Sequence, residues 1–390
     1  MKQSPSSKRG RGIRSAETLS RLAEGLSASG SRAEDEYWNI KLEAEIKKVI
    51  LEKDEISLNV ALDKLSEKET RAHEELADAI EGCIEFERIF LENNSFDSLL
   101  ITAPVLAWST LGLSNFNISK KYLEDISALL RKHIFNPDAQ ISLVNYLYSP
   151  DQLPESFIET KQLKKTITHC LMKNSHLLLN EKEIKETSTF LADQRHLLGV
   201  VAVKTGDHIF QWQDNFMRPE DIEASWKKVS REMFSKIMPQ CAREAILPRA
   251  YYVACRDADR QLRKFSIQAS VSYLASSLSI TNESLLVVIG GCYDRHLEEY
   301  RISFCDKRSF EVYHGIVWPL LGPEDELSEL IEIIEAYLKS CGIAEVKSLS
   351  QRLPLEFCEE CGSPLYPNIE GEMVHIEQPE NDSPQHQHIH

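Results

Sequence analysis

The chain has 390 residues, 42% of them hydrophobic and 27% charged, with a net charge of −16. That is the composition of a globular protein long enough for two or three domains. The acidic balance argues against nucleic-acid binding through the body, since phosphate contacts need a basic surface, and it equally disfavours an anionic membrane surface.

Residues 1–14 carry Lys2, Lys8, Arg9, Arg11 and Arg14 among Ser, Pro and Gly, with no acid. They read as a disordered basic tail, and as the one place for a nucleic-acid or acidic-partner contact. No apolar core segment follows the basic residues, so no signal peptide is expected. Leu19, Leu22 and Leu26 line up on a short helix over residues 15–29. Ser31 and Glu34 form a capping box that starts a second helix through Trp38, Ile40, Leu42, Ile46 and Ile50. Two more helices are predicted at about 56–66 and 69–85. Together they make a helical bundle.

Leu99 to Trp108 is the most apolar run, far short of the roughly 20 residues that span a bilayer. Pro104 within it predicts a kinked or interrupted helix. A helix is predicted from Ile118 to His133, a strand from Gln140 to Tyr148, and a helix from Glu159 to Met172. From Arg195 the periodicity shifts from helical to alternating. Residues 198–203 and 208–212 read as a hairpin around the turn Lys204 to Asp207. A helix follows from Arg218-Pro219 to Ile237, then a strand-like stretch from Ala250 to Cys255, then a helix over Asp257 to Ser277.

Leu285 to Ile289 is a continuous apolar run, as in a strand buried on both faces. Tyr300, Ile302 and Phe304 then alternate with Arg301 and Ser303, the pattern of a half-buried strand. Phe310, Val312 and Ile316 continue the alternation to Trp318-Pro319. His314 shares their face, and reads either as a base or as a packed histidine. Gly322-Pro323 opens a helix whose stripe is Leu327, Leu330, Ile331, Ile334, Tyr337 and Leu338, with Cys341-Gly342 closing it. A faint echo links residues 197–203 with 285–291, and two apolar hairpins of similar composition explain it. The predicted fold class is α+β: an N-terminal helical bundle, then an antiparallel sheet with covering helices, then a small C-terminal knuckle. The predicted divisions are 1–14, 15–190, 191–352, 353–376 and 377–390. The last is a polar tail in which His386, His388 and His390 alternate with other residues.

The nine cysteines are odd in number and scattered, which reads as reduced thiols in the cytoplasm. Two of them stand apart. Cys358 and Cys361 form a Cys-x-x-Cys followed by Gly362, Pro364 and Pro367, with His375 beyond. Two thiolates at this spacing can grip one tetrahedral ion, and glycine allows the tight turn. The predicted ligands are therefore Cys358, Cys361 and His375, and the predicted metal is zinc. The fourth ligand is open among Cys341, a tail histidine, a water and a partner chain. A redox pair competes, but the prolines oppose the helix that usually activates such a cysteine. A bare structural turn also remains.

Other chemistry is thinner. Gly290-Gly291 leads into a turn, so no dinucleotide fingerprint forms, and there is no Gly-x-Ser-x-Gly or His-Glu-x-x-His. Asp193, Arg195 and His196 form one polar cluster, and Asp294, Arg295 and His296 beside Cys292 another. As neighbouring loops, with Asp257, Asp259 and Arg260, they would line a pocket.

Several segments look familiar together: Ala28-Ser-Gly-Ser-Arg-Ala-Glu-Asp35 with Trp38, Ala103 to Ser109, Tyr148 to Pro154, Tyr293-Asp-Arg295, Val317 to Gly322, and Cys358 to Gly362 with His375. They resemble a bacterial family of unknown function across residues 16–380. The resemblance implies a soluble bacterial protein of one architecture and brings no activity. Two function classes follow. One is a non-enzymatic binding or regulatory protein with a zinc knuckle and a protein partner. The other is a hydrolase or transferase with a pocket at loops 193–196 and 292–296.

Overall fold

The structure, a computed structural model, describes residues 5–66, 70–91, 94–109, 116–180, 184–185, 192–214, 217–239, 241–277, 280–322, 324 and 328–376. The predicted polar tail 377–390 lies outside them, as do Pro323 and Leu327 of the helix predicted to open at Gly322-Pro323. Glu324, Ser328 and Glu329 are described and are not helical, so that helix starts only at Leu330.

Four helices come first: α1 (Pro5–Ser27), α2 (Arg32–Glu52), α3 (Glu55–Ser66) and α4 (Thr70–Glu85). Helix α1 begins inside the segment predicted to be disordered. Proline suits its first turn, where an amide would be unpaired anyway. The Ser31 side chain accepts from the Glu34 N–H, one half of the predicted capping box, while the Glu34 carboxylate accepts from the Gly30 N–H and the Ser31 hydroxyl. Leu19, Leu42, Ile46, Leu58, Leu76 and Ile80 are fully buried where the four helices meet.

Next come β1 (Phe86–Leu91), β2 (Asn94–Trp108), β3 (Phe116–Asn117), α5 (Lys120–His133), β4 (Gln140–Tyr148), α6 (Phe157–Met172), β5 (Ala192–Lys204), α7 (Gln211–Asp214), α8 (Pro219–Ile237), β6 (Ala242–Ala245), β7 (Arg249–Ala250) and α9 (Tyr251–Ser277). Strands β1 to β7 form one seven-stranded sheet in the order β1-β2-β5-β4-β3, with β6 and β7 also on β2. The region 15–190, read as mainly helical, therefore supplies β1, β2 and β3 besides the predicted strand β4, and the sheet draws on both sides of residue 191. The reason lies in β2. Leu99, Ile101, Ala103 and Val105 pack on one face with α5 and α8, while Leu100 packs on the other with Ile167 and Leu171 of α6. A strand covered on both faces loses its alternation and cannot be told from a buried helix by periodicity. Pro104 is tolerated because its backbone faces the edge where β7 gives way to β6, and its carbonyl still accepts from the Ile246 N–H at 2.9 Å.

Two further readings change. Residues 208–212 do not return as a hairpin strand. The chain turns through a bridge at Phe210 into the short α7, with Phe210 stacked on Trp212. Residues 251–255 open α9 instead of forming a strand, because Tyr251 and Ala254 are buried at helical spacing.

The second sheet contains β8 (Leu285–Tyr293), β9 (Leu297–Asp306), β10 (Val312–Pro319), β11 (Glu345–Ser348) and β12 (Leu353–Pro354), with α10 (Leu330–Ser340) between β10 and β11. Its order is β10-β9-β8-β11, with β12 also on β8. The first three strands are the predicted antiparallel meander, and β11 and β12 add parallel to β8. Leu285, Val287, Ile289, Ile302, Phe304 and Ile316 meet α9 and α10 in one core. Gly342, at φ +88°, follows the end of α10 as predicted. Last comes a two-stranded hairpin, β13 (Tyr366–Pro367) with β14 (Met373–Val374). The fold is α+β.

Leu330, Ile334 and Leu338 are 4%, 0% and 0% exposed. Truncating each to Ala should destabilise the protein by about 2–5 kcal/mol in urea denaturation. Unchanged midpoints in all three would mean that the stripe faces solvent.

Candidate metal centre

Residues 356–365 double back as a tight hairpin. The Leu365 N–H donates to the Glu356 carbonyl, the Cys358 N–H to the Ser363 carbonyl at 2.8 Å, and the Gly362 N–H to the Cys358 carbonyl at 2.8 Å. Gly362 has φ +74°, so the glycine lets the tip close. The next turn is built on Asn368, whose side-chain oxygen accepts from the N–H groups of Glu370 and Glu372 at 2.9 Å. Strand β14 then carries the chain back to His375.

These two turns bring the predicted ligands together. The Sγ atoms of Cys358 and Cys361 and a ring nitrogen of His375 lie within 4.8 Å of one another. Cys361 Sγ is 3.2 Å from His375 Nε2 and 3.1 Å from Ser363 Oγ. Thiolate and imidazole ligands around one tetrahedral zinc stand about 3.5–3.8 Å apart, so a small adjustment would seat the ion. Hydrogen bonds from Ser363, then from His375, pull the exposed Cys361 thiol down to about 6. The thiolate is the form that ligates metal. Among the described residues the group has these three members. Cys341 is not with them. It caps α10 and packs beside the second core.

A redox reading fits poorly. Among the described residues no helix follows Cys358, and the activated thiol is the second of the pair, with a side-chain hydroxyl as the main cause.

The knuckle has a deep anchor. Arg301, in β9, is 0% exposed. Its Nη1 donates to the carbonyls of both Glu356 and Leu365, one from each arm of the hairpin. Its Nε donates to Glu299 at 2.7 Å, and its guanidinium lies 4.9 Å from the centre of the Phe357 ring. Two glycines make room on the same face. A Cβ on Gly315 would run into the Tyr366 ring, and one on Gly290 into Leu353 and Pro367. The face that carries Arg301 and Ser303 was expected to meet solvent, but both residues are 0% exposed because the C-terminal segment covers it. The signal was available in Gly290 and Gly315, which interrupt strands otherwise rich in large residues.

The other predicted cluster does not assemble. Asp193, Arg195 and His196 lie in β5 and not in a loop, and all three are buried. Arg195 pairs with Asp193, and Gln194 donates to Asp259 in α9 at 2.7 Å. Burial, with Arg195 beside it, lowers His196 to about 3. Asp294, Arg295 and His296 sit exposed in the turn between β8 and β9, in the other sheet. Asp257 is held by Arg249 and Arg260. His314 is a packed histidine, 3.0 Å from Ser270 Oγ, and burial lowers it to about 4.

The family model described as Protein of unknown function (DUF2863) matches residues 4–389. The chain belongs to that family. No curated protein and no solved structure matches it. Among the described residues of this DUF2863 member, no helix is long and apolar enough to cross a membrane.

Arg301→Ala would strand the Glu299 carboxylate, remove the Leu365 carbonyl's bond to the sheet, and leave the Glu356 carbonyl with the Leu365 N–H alone. It should cost about 3–5 kcal/mol and expose residues 349–376 to limited proteolysis. Gly315→Ala should cost about 1–3 kcal/mol by overpacking against Tyr366. Wild-type proteolysis of both variants would detach the knuckle from the sheet.

Proposed function

We propose that Cys358, Cys361 and His375 hold a structural zinc ion, and that the protein is a non-enzymatic binding or regulatory protein acting through a protein partner. The observation that carries this is the convergence of two thiols and an imidazole from separate turns. Soft sulfur and imidazole donors select zinc over magnesium or calcium. The ion would tie the exposed tip of the first hairpin to the end of β14, adding to the contacts of Cys361 with Ser363 and His375. Glu356, Leu365 and Tyr366 are already fixed against the second sheet, so the ion would complete a clamp whose base is preformed. Residues 353–376 then act as one small unit on that sheet.

The fourth position falls to a tail histidine, a water or a group from the partner chain. A cytoplasmic setting fits, because thiolate ligands must stay reduced. Nucleic-acid contact is assigned only to the basic residues of 1–14, and no membrane is required. The hydrolase or transferase alternative loses its pocket, since residues 193–196 are a buried strand.

The test is metal content by mass spectrometry, after purification without a histidine tag and with mild chelation. About one zinc per chain is expected, falling to background in Cys358→Ser. Less than about 0.2 zinc per chain in the wild type, unchanged in the variant, would remove the metal.

A further inference from the structure

Helix α2 is apolar on two opposite faces. One face, Leu42, Ile46, Val49 and Ile50, is buried in the helical bundle. The other carries Tyr37, Ile40, Ala44, Lys47 and Leu51, all exposed, with Tyr37 at 56%, Ile40 at 61% and Leu51 at 77%. These five positions follow alternating steps of three and four, the seam of a two-stranded coiled coil. Lys47 is the one polar member, and its ammonium is compensated on its own helix by Glu43 at 2.6 Å. One polar seam residue fixes register at some cost in stability. Helix α3, just beyond, exposes Ile56 at 74%.

The flanks of the seam identify the occupant. Glu36 and Glu43 line one side, and Lys41 and Lys48 the other, all four exposed. When two copies of α2 lie parallel and in register, Glu36 meets the second copy's Lys41, and Glu43 its Lys48. When they lie antiparallel, Glu faces Glu and Lys faces Lys, which is repulsive. We propose that α2 is a self-association surface, pairing parallel and in register with α2 of a second copy of the chain. The seam spans only about two heptads, a small contact, so the dimer is reversible. This surface is separate from the metal ligands, and its test is independent of zinc.

Sedimentation velocity from about 1 to 200 µM chain should show the full-length protein moving from monomer to dimer. Ile40→Glu with Leu51→Glu should stay monomeric throughout, with an unchanged circular dichroism spectrum because both positions are exposed. A Glu36→Lys, Glu43→Lys chain and a Lys41→Glu, Lys48→Glu chain should each be monomeric alone and dimerise when mixed. Tyr37→Cys should give a disulfide-linked dimer on mild oxidation, above the wild-type background, because only the parallel pair places residue 37 beside its copy. A wild type that stays monomeric, a dimer unmoved by the double glutamate variant, charge-swapped chains that fail to pair, or no cross-link at residue 37 would each overturn the proposal.

Discussion

The buried guanidinium of Arg301 is the constraint around which the C-terminal half is arranged. A charge taken wholly out of water is costly, and a counter-charge and hydrogen-bond acceptors close by offset that cost. Here Glu299 supplies the counter-charge from the same strand and takes the Nε donor, two backbone carbonyls of the knuckle accept from Nη1, and Nη2 is buried without a hydrogen-bond partner among the described residues. Both carbonyls belong to residues after the sheet is complete in sequence. The sheet therefore depends on the tail for its second cover, and the tail depends on the sheet for its shape. Helices α9 and α10 close one face, and residues 353–367 close the other.

That arrangement explains why Cys358, Cys361 and His375 stand where they do. Arg301 fixes the base of the hairpin 356–365, and Gly315 lets the Tyr366 ring settle directly against β10. Lys347 of β11 donates to the Ile369 carbonyl at 2.7 Å, steadying the second turn. The first turn carries Cys361 at its tip, and β14 returns the chain from the second turn so that His375 lies within hydrogen-bond distance of it. The sheet does the positioning, and short-range turn chemistry from Gly362 and Asn368 does the rest. A metal bound there adds to a site whose backbone is already arranged, which limits the ordering cost of binding.

Much of this was legible in the residues and some was not, for identifiable reasons. The capping box at Ser31, strand β4, the run Leu285–Ile289 and the stripe of α10 announce themselves through local chemistry and clean periodicity. The grouping of Cys358, Cys361 and His375 is legible because its spacing is set by two short turns. Strand β2 is opaque because cover on both faces erases alternation, and Pro104 then mimics a helix break. Asp193, Arg195 and His196 look like a polar loop, yet they lie inside a strand, where Arg195 pairs with Asp193 and His196 Nδ1 lies 3.5 Å from Thr102, while Arg195 Nη2 and His196 Nε2 are buried without partners among the described residues. Arg301 looks like an ordinary solvent-facing position, because alternation cannot tell water from a covering segment some fifty residues later in sequence. The second apolar face of α2 is hidden for the opposite reason: apolar residues on two sides cancel, leaving a helix that looks weakly amphipathic.

Zinc K-edge X-ray absorption on the purified full-length protein tests the central claim most directly, since it reads the donor atoms themselves. The account predicts an inner shell with two sulfurs at about 2.3 Å and nitrogen or oxygen at about 2.0–2.1 Å, losing one sulfur in Cys358→Ser. A shell of nitrogen and oxygen alone, unchanged by that substitution, would contradict it and place the metal elsewhere.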